Sequence, residues 1–330
     1  MRKIIIFLII LCYSVGFSKA EENYPSDSLS IASETYGYYI GQNYFLDNIV
    51  RLHPELKTHA DIAKTKFNVE FGDSIDNLKK ILSEYNPYAL TYIQESVLKS
   101  LNPILSNNIT IKESERFIDE VISRAKGNID SPILENLLSY NPRYIDKPEL
   151  EFLDGYIYKY KSNKHPKAKG IEFELQIPKS WKDKEGSRPN VVHKFINKNG
   201  KGYVIYMVII KDFPYGEVAK LDIQELLEDK NSLASFLDGY GGIVTDSGEL
   251  VLENQIGFWV MGKISTQRMM NRVDAEVISY NFFYKNKLIS LSGFVTSKIN
   301  NETIQIEPMK KYKPIFDLIT NTFILTQKYK

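Results

Sequence analysis

The 330-residue chain has a single cysteine, Cys12, and that scarcity removes several chemistries at once. One thiol forms no intrachain disulfide and no cysteine cluster for zinc. Because Cys12 lies in an apolar N-terminal stretch, the chain beyond residue 20 has no thiol nucleophile either. Histidine is sparse: His53, His59, His165 and His193 are the full set. No two are three or four residues apart, and Pro54 separates the first pair, so a helical metal pair is not expected. H-E-x-x-H, G-x-S-x-G and P-loop patterns are missing. In Gly239-Tyr-Gly-Gly242 the third glycine is misplaced for a dinucleotide fingerprint and a helical segment precedes it, so the cluster reads as a turn. No cofactor and no metal is expected.

Excess charge of one sign is also lacking, with 42 basic and 41 acidic residues. Removing residues 1–20, which hold Arg2, Lys3 and Lys19, leaves 39 basic against 41 acidic residues. This balance argues against general nucleic-acid binding, which needs a basic face to neutralise phosphates. The runs Lys159 to Lys169 and Lys310 to Lys313 are locally basic and read as solvated faces or linker.

What is present begins with an export leader. Arg2 and Lys3 form a short positive region, Ile4 to Leu11 is unbroken apolar sequence, and Ser18-Lys19-Ala20 offers small residues at the two positions a signal peptidase reads. Tyr13, Ser14 and Gly16 interrupt the apolar stretch, which is short of the roughly 20 residues of a membrane-spanning helix. Cleavage after Ala20 is expected rather than an anchor. Leu11 and Tyr13 around Cys12 depart from a lipoprotein site. The chain is expected to be exported, periplasmic or secreted, with no stable membrane span after cleavage; its Lys- and Ile-rich composition has a bacterial character.

Residues 21–150 read as a helical domain. Tyr36, Ile40, Tyr44, Leu46, Ile49 and Val50 recur near helical spacing until His53-Pro54. Asn86-Pro87 is an N-cap with proline at the first helical position, followed by an amphipathic run through Leu98. Thr110-Ile-Lys-Glu113 has the capping-box pattern and Gly127 stands where that helix should stop; Ser131-Pro132 opens a short helix through Leu138. After a basic linker at 151–169 the period changes to two. Ile171, Phe173, Leu175 and Ile177 alternate with polar residues, Gly202 to Ile210 suits a central strand, and Val218 to Leu227 reads as a helix. Further strands are predicted from Ile243, over Gln255 to Ile264, Val273 to Tyr284 and Leu288 to Val295. A helix over Pro314 to Phe323 closes the chain. The fold class is α+β: an all-helical N-terminal domain, then at 170–330 an antiparallel sheet with packed helices.

Two stretches resemble known families. Ile171-Glu-Phe-Glu-Leu-Gln-Ile-Pro-Lys-Ser-Trp181, followed by long strands and a closing helix through Asn321-Thr-Phe323, resembles the PsbP-like fold over roughly 168 to 327, a fold often found in accessory proteins. Tyr36-Gly-Tyr-Tyr-Ile-Gly-Gln42 is similar to the start of the helical dimerisation segment of exported FKBP-type prolyl isomerases. The isomerase pattern itself is missing from the second domain, so that activity is not implied.

Two sets of side chains are candidate functional residues. His193, beside Val191 and Val192, is the candidate general base if a serine and a carboxylate approach it. Tyr36, Tyr39, Tyr44 and Phe45 place aromatics on more than one side of the first helix, which suits a protein-partner surface or a homodimer. The leading expectation is an exported, non-enzymatic binding or accessory protein, with a helical domain for assembly and an α+β domain for a partner or small ligand. The alternatives are a secreted hydrolase built around His193 and an exported chaperone-like factor. N-terminal sequencing of the protein recovered from an exporting host is expected to begin at Glu21; a sequence beginning at Met1 would contradict the leader.

Overall fold

The computed structural model describes residues 26–105, 109–214, 216, 218–237, 242–268, 271–300, 303–305 and 308–330. Residues 1–20, expected as a leader, and Gly239 and Gly241 of the expected glycine turn lie outside them. The chain divides into two compact units, Met1–Ile145 and Asp146–Lys330. Among the described residues no helix is long and apolar enough to cross a membrane.

The first unit holds α1 (Ser26–Leu52), α2 (Lys57–Tyr85), α3 (Ala89–Leu105), α4 (Ile111–Arg124) and α5 (Ile133–Ser139), before α6 (Pro142–Asp146) at its end. On α2 the buried residues Ala60, Ala63, Phe67, Phe71, Ile75, Leu78 and Leu82 form one stripe at helical spacing. The capping box at Thr110 and Glu113 is formed, and Gly127 takes φ of 84° where α4 has ended. Asn86 terminates α2 and accepts from the Tyr88 amide at 2.8 Å. α1 is packed by α2, α3, α4 and α5, so it is buried on several sides. At its centre Arg124 donates to Gln42 Oε1 at 2.9 Å, pairs with Glu120, and lies 5.2 Å from the Tyr38 ring and 5.3 Å from the Phe117 ring.

The second unit begins with α7 (Glu149–Leu153), β1 (Ile157–Lys161), β2 (Glu174–Pro178), β3 (Lys182–Glu185), β4 (Val191–Ile196) and β5 (Val204–Asp212). It continues with α8 (Lys220–Glu228), α9 (Lys230–Ala234), β6 (Ile243–Leu252), β7 (Gln255–Arg268), β8 (Asn271–Tyr284) and β9 (Lys287–Thr296). After a short hairpin, β10 (Lys298–Asn300) and β11 (Thr303–Gln305), α10 (Met309–Asn321) closes the unit. Seven strands form an antiparallel sheet in the order β3-β4-β5-β9-β8-β7-β6. This is the α+β architecture expected.

Two expectations need correction. The stretch 151–169 is no linker: β1 lies in it, pairs antiparallel with β2 from Ile157↔Pro178 to Lys161↔Glu174, and precedes Ala168, which is buried in the core. Its lysines conceal a period of two, in which Tyr158 and Tyr160 pack inward while Lys159 and Lys161 reach Glu174 at 3.0 and 3.5 Å. The helix predicted from Pro314 starts at Met309, with Pro314 inside it and one intrahelical bond lost to the proline. Between the His53-Pro54 break and Asn86-Pro87 lies the 29-residue helix α2, an element not among those expected.

The sheet is covered on both faces. On one, Val204, Tyr206, Val208, Ile210, Ile278, Tyr280, Phe282, Ile289, Leu291 and Val295 meet α10 and the 171–181 segment in one core. On the other, Phe258, Val260, Val277 and Phe294 meet Ile223, Leu233 and Leu237 of α8 and its successors. Strand β9 is accordingly buried along nearly its whole length. Gly293 lies directly under α10: a Cβ there would stand 2.4 Å from Cδ2 of Phe316. Gly293→Ala is expected to destabilise the protein by about 1–3 kcal/mol through overpacking, measured as a lower urea midpoint; an unchanged midpoint would contradict this packing.

Candidate functional site

The sequence-predicted base is built into a structural contact. His193 lies on β4, where its Nε2 is 3.0 Å from Oδ2 of Asp183 on the paired strand β3. Its ring lies 4.5 Å from that of Tyr160 and 5.3 Å from that of Phe195. Nδ1 is buried without a hydrogen-bond partner. One ring nitrogen faces a carboxylate and the other faces packed atoms, so neither reaches a nucleophile's hydroxyl, which the general-base role requires. Beside it, His165 Nδ1 accepts from the Lys167 amide at 3.2 Å, and its Nε2 stands 3.6 Å from Glu185. Lys167 also pairs with Glu185 at 2.9 Å and holds that carboxyl below its ordinary range. Burial, reinforced by the negative charges of Asp183 and Glu185, pushes the Tyr160 hydroxyl up to about 12. The cluster ties β1, β3 and β4 together. Among the described residues no group of three or more His, Cys, Asp and Glu is placed to hold a metal ion.

The aromatic set on α1 is largely internal. Tyr36 is 2% exposed and Phe45 4%; Tyr36 accepts from Gln94 at 3.2 Å, and Phe45 packs on Phe117 with ring centroids 4.3 Å apart. Tyr39 stacks on Phe67 and donates to Asn68 at 3.3 Å. Tyr44, like Tyr39, is half-buried. Aromatics on several sides of α1 reflect a helix packed on several sides.

The feature with binding geometry is a cavity of about 490 Å³ at the hairpin end of the sheet, within the range of about 300–1,000 Å³ usual for small-molecule sites. Two strand pairs position it. Leu252↔Gln255 closes the β6–β7 hairpin over Glu253-Asn254, and Tyr284↔Lys287 closes the β8–β9 hairpin over Lys285-Asn286. All four turn residues have positive φ, 53° and 57° in the first turn and 48° and 55° in the second. A two-residue turn needs this backbone to match strand twist, and asparagine tolerates it better than lysine or glutamate. Its apolar part comes from Phe283 and Ile256 on strands and from Phe213 and Val218 in the segment after β5, with Phe213 and Phe283 ring centroids 4.6 Å apart. The rim is polar, from Asn254, Gln255, Lys285, Asn286 and Lys287.

Hydrogen bonds tie the segments of this rim to their neighbours. The Phe213 amide donates to the Asn286 carbonyl at 2.9 Å, fastening the end of β5 to the β8–β9 turn. Asp212 accepts from Lys169 at 2.5 Å and Lys287 at 2.6 Å, and these two lysines lower its carboxyl from 3.8 to about 2. Glu253 accepts from the Leu325 amide at 3.3 Å and the Tyr329 hydroxyl at 3.1 Å. Sequence reasoning noted Phe282-Phe283-Tyr284 and the tight Lys285-Asn286-Lys287 connection. It missed the site because Phe213 and Ile256 come from distant segments, joined only by strand pairing.

No family model matches the chain, and no curated protein matches it. Among solved structures the chain is similar to the solution structure of cyanobacterial PsbP (CyanoP) from Synechocystis sp. PCC 6803, with 14% sequence identity and a TM-score of 0.34, covering 52% of this chain and 92% of that chain. The likeness is weak.

The paired lysines on Asp212 generate a pH dependence. A carboxyl held below its ordinary value adds stability that is complete above about pH 4 and is lost as pH falls toward 2. The gap in urea midpoint between the native protein and Asp212→Asn is expected to be present at pH 7 and to close by about pH 2. A gap of constant size across that window would contradict the assignment.

Proposed function

We propose that this is an exported, non-enzymatic binding or accessory protein whose α+β unit holds a small organic ligand in the hairpin-end cavity. The observation that carries the reading is the cavity itself: its volume falls in the range usual for small-molecule sites, and it sets an aromatic patch, Phe213 and Phe283, beside a polar rim of Asn254, Gln255, Lys285, Asn286 and Lys287. The two hairpins and the end of β5 that frame it are hydrogen-bonded to each other, so the shape is present before a ligand arrives and little ordering accompanies binding. A hydrolytic reading centred on His193 loses support from the placement of its two ring nitrogens. An assembly role for α1 loses support from the burial of Tyr36 and Phe45.

The test fills the cavity. Val218, half-buried in the wall, is replaced by tryptophan, and the purified native and variant proteins are screened against a library of small aromatic and aliphatic compounds by ligand-observed NMR. Hits on the native protein that vanish in Val218→Trp, at unchanged thermal stability, are expected. Hits retained in the variant, or an absence of hits on the native protein, would refute the reading.

A further inference from the structure

The charges around the cavity are unequal. Asp212 is shared by Lys169 and Lys287, so that carboxylate is already occupied by two cations. A second acidic side chain at this end, Glu253, is engaged by the Leu325 amide and the Tyr329 hydroxyl. Lys285 is different: it is exposed at the rim and its Nζ lies 5.4 Å from the centre of the Tyr284 ring, while the carboxylate whose charge it feels, Glu172, is paired with Lys330. Its backbone has φ of 48°, a conformation that disfavours a lysine over asparagine or glycine. The ammonium therefore stands at the mouth of a recess backed by Phe213 and Phe283, on a turn that would be better formed by another residue.

We propose that the ligand is an amphipathic organic anion, a planar apolar body bearing one negative group, with the body against Phe213, Phe283 and Ile256 and the anion on the Lys285 ammonium. This rests on the cavity being the binding site. The aromatic pair favours a flat ring, which it meets in an offset or tilted arrangement. The polar end of such a ligand falls at the rim, where Lys285 supplies a charge-assisted hydrogen bond and Lys287 adds to the positive field. A cation of the same shape would meet Lys285 as a like charge, so the rim discriminates by sign as well as by fit.

The experiment compares three probes of one shape, 1-naphthylacetate, neutral 1-naphthylacetamide and cationic 1-naphthylmethylamine, by calorimetric titration of the full chain. Lys285→Asn serves as the variant, because asparagine accepts the positive φ and keeps the turn. The acetate is expected to bind about tenfold more tightly than the amide, with the amine weakest and the preference shrinking as salt rises. In Lys285→Asn the acetate should fall to the affinity of the amide while the amide itself is unchanged, which also shows that the variant is folded. Equal binding of acetate and amide to the native protein, or the same tenfold preference in the variant, would overturn the anion assignment and leave the cavity reading standing. Failure of all three probes to bind would count against both.

Discussion

Strand β9 is the constraint on which the α+β unit depends. It runs between β5 and β8, both antiparallel to it, and it is buried on both faces. Its odd-numbered residues meet the core under α10, and Gly293 lets Phe316 descend onto the sheet where any side chain would collide. Its even-numbered residues include Ser290 and Ser292, buried opposite Asn281 and Ser279 of β8. The Ser279 and Ser292 hydroxyls are 2.9 Å apart, and Ser290 donates to Asn281 Oδ1 at 2.6 Å. A one-residue slip would turn these hydroxyls into the apolar core and leave their partners unsatisfied. A fully paired polar row in a buried strand thus specifies the register, whereas apolar packing alone would tolerate alternatives.

The site follows from that register. With β8 and β9 aligned, their turn falls at Lys285-Asn286, and the Asn286 carbonyl is placed to receive the Phe213 amide from the end of β5. The β6–β7 turn at Glu253-Asn254 emerges at the same end of the sheet and is fastened to the C-terminal residues Leu325 and Tyr329. Phe213, Ile256 and Phe283 then face one volume although 70 residues separate the first and last of them in the chain. The same end carries the Asp212 ion pairs, so the charges that fix the frame also leave Lys285 as the exposed cation at its mouth.

Local signals in the sequence were reliable where one element contains its own start, stop and period. The capping box at Thr110, the stop at Gly127, the alternation from Ile171 to Ile177 and the strands over Gln255 to Ile264 and Val273 to Tyr284 are of this kind. Errors arose where side-chain chemistry hid the period or where packing is three-dimensional. Lysines masked the tyrosine alternation of β1, and aromatics on several faces of α1 resembled a docking surface because that helix is packed by neighbours on several sides and keeps only a narrow solvent face, with Ser30, Asp47 and Arg51. The cavity was illegible for a further reason: its walls come from separate strands, and no spacing in the chain encodes their meeting.

The most direct test of the account is backbone amide chemical-shift mapping of the isotope-labelled protein during titration with 1-naphthylacetate. The account predicts shifts concentrated at Phe213, Gly216, Val218, Asn254 to Ile256 and Phe283 to Lys287, with the surroundings of His193 and the helical unit silent. Shifts centred on His193 or on α1, with the hairpin end unmoved, would contradict it.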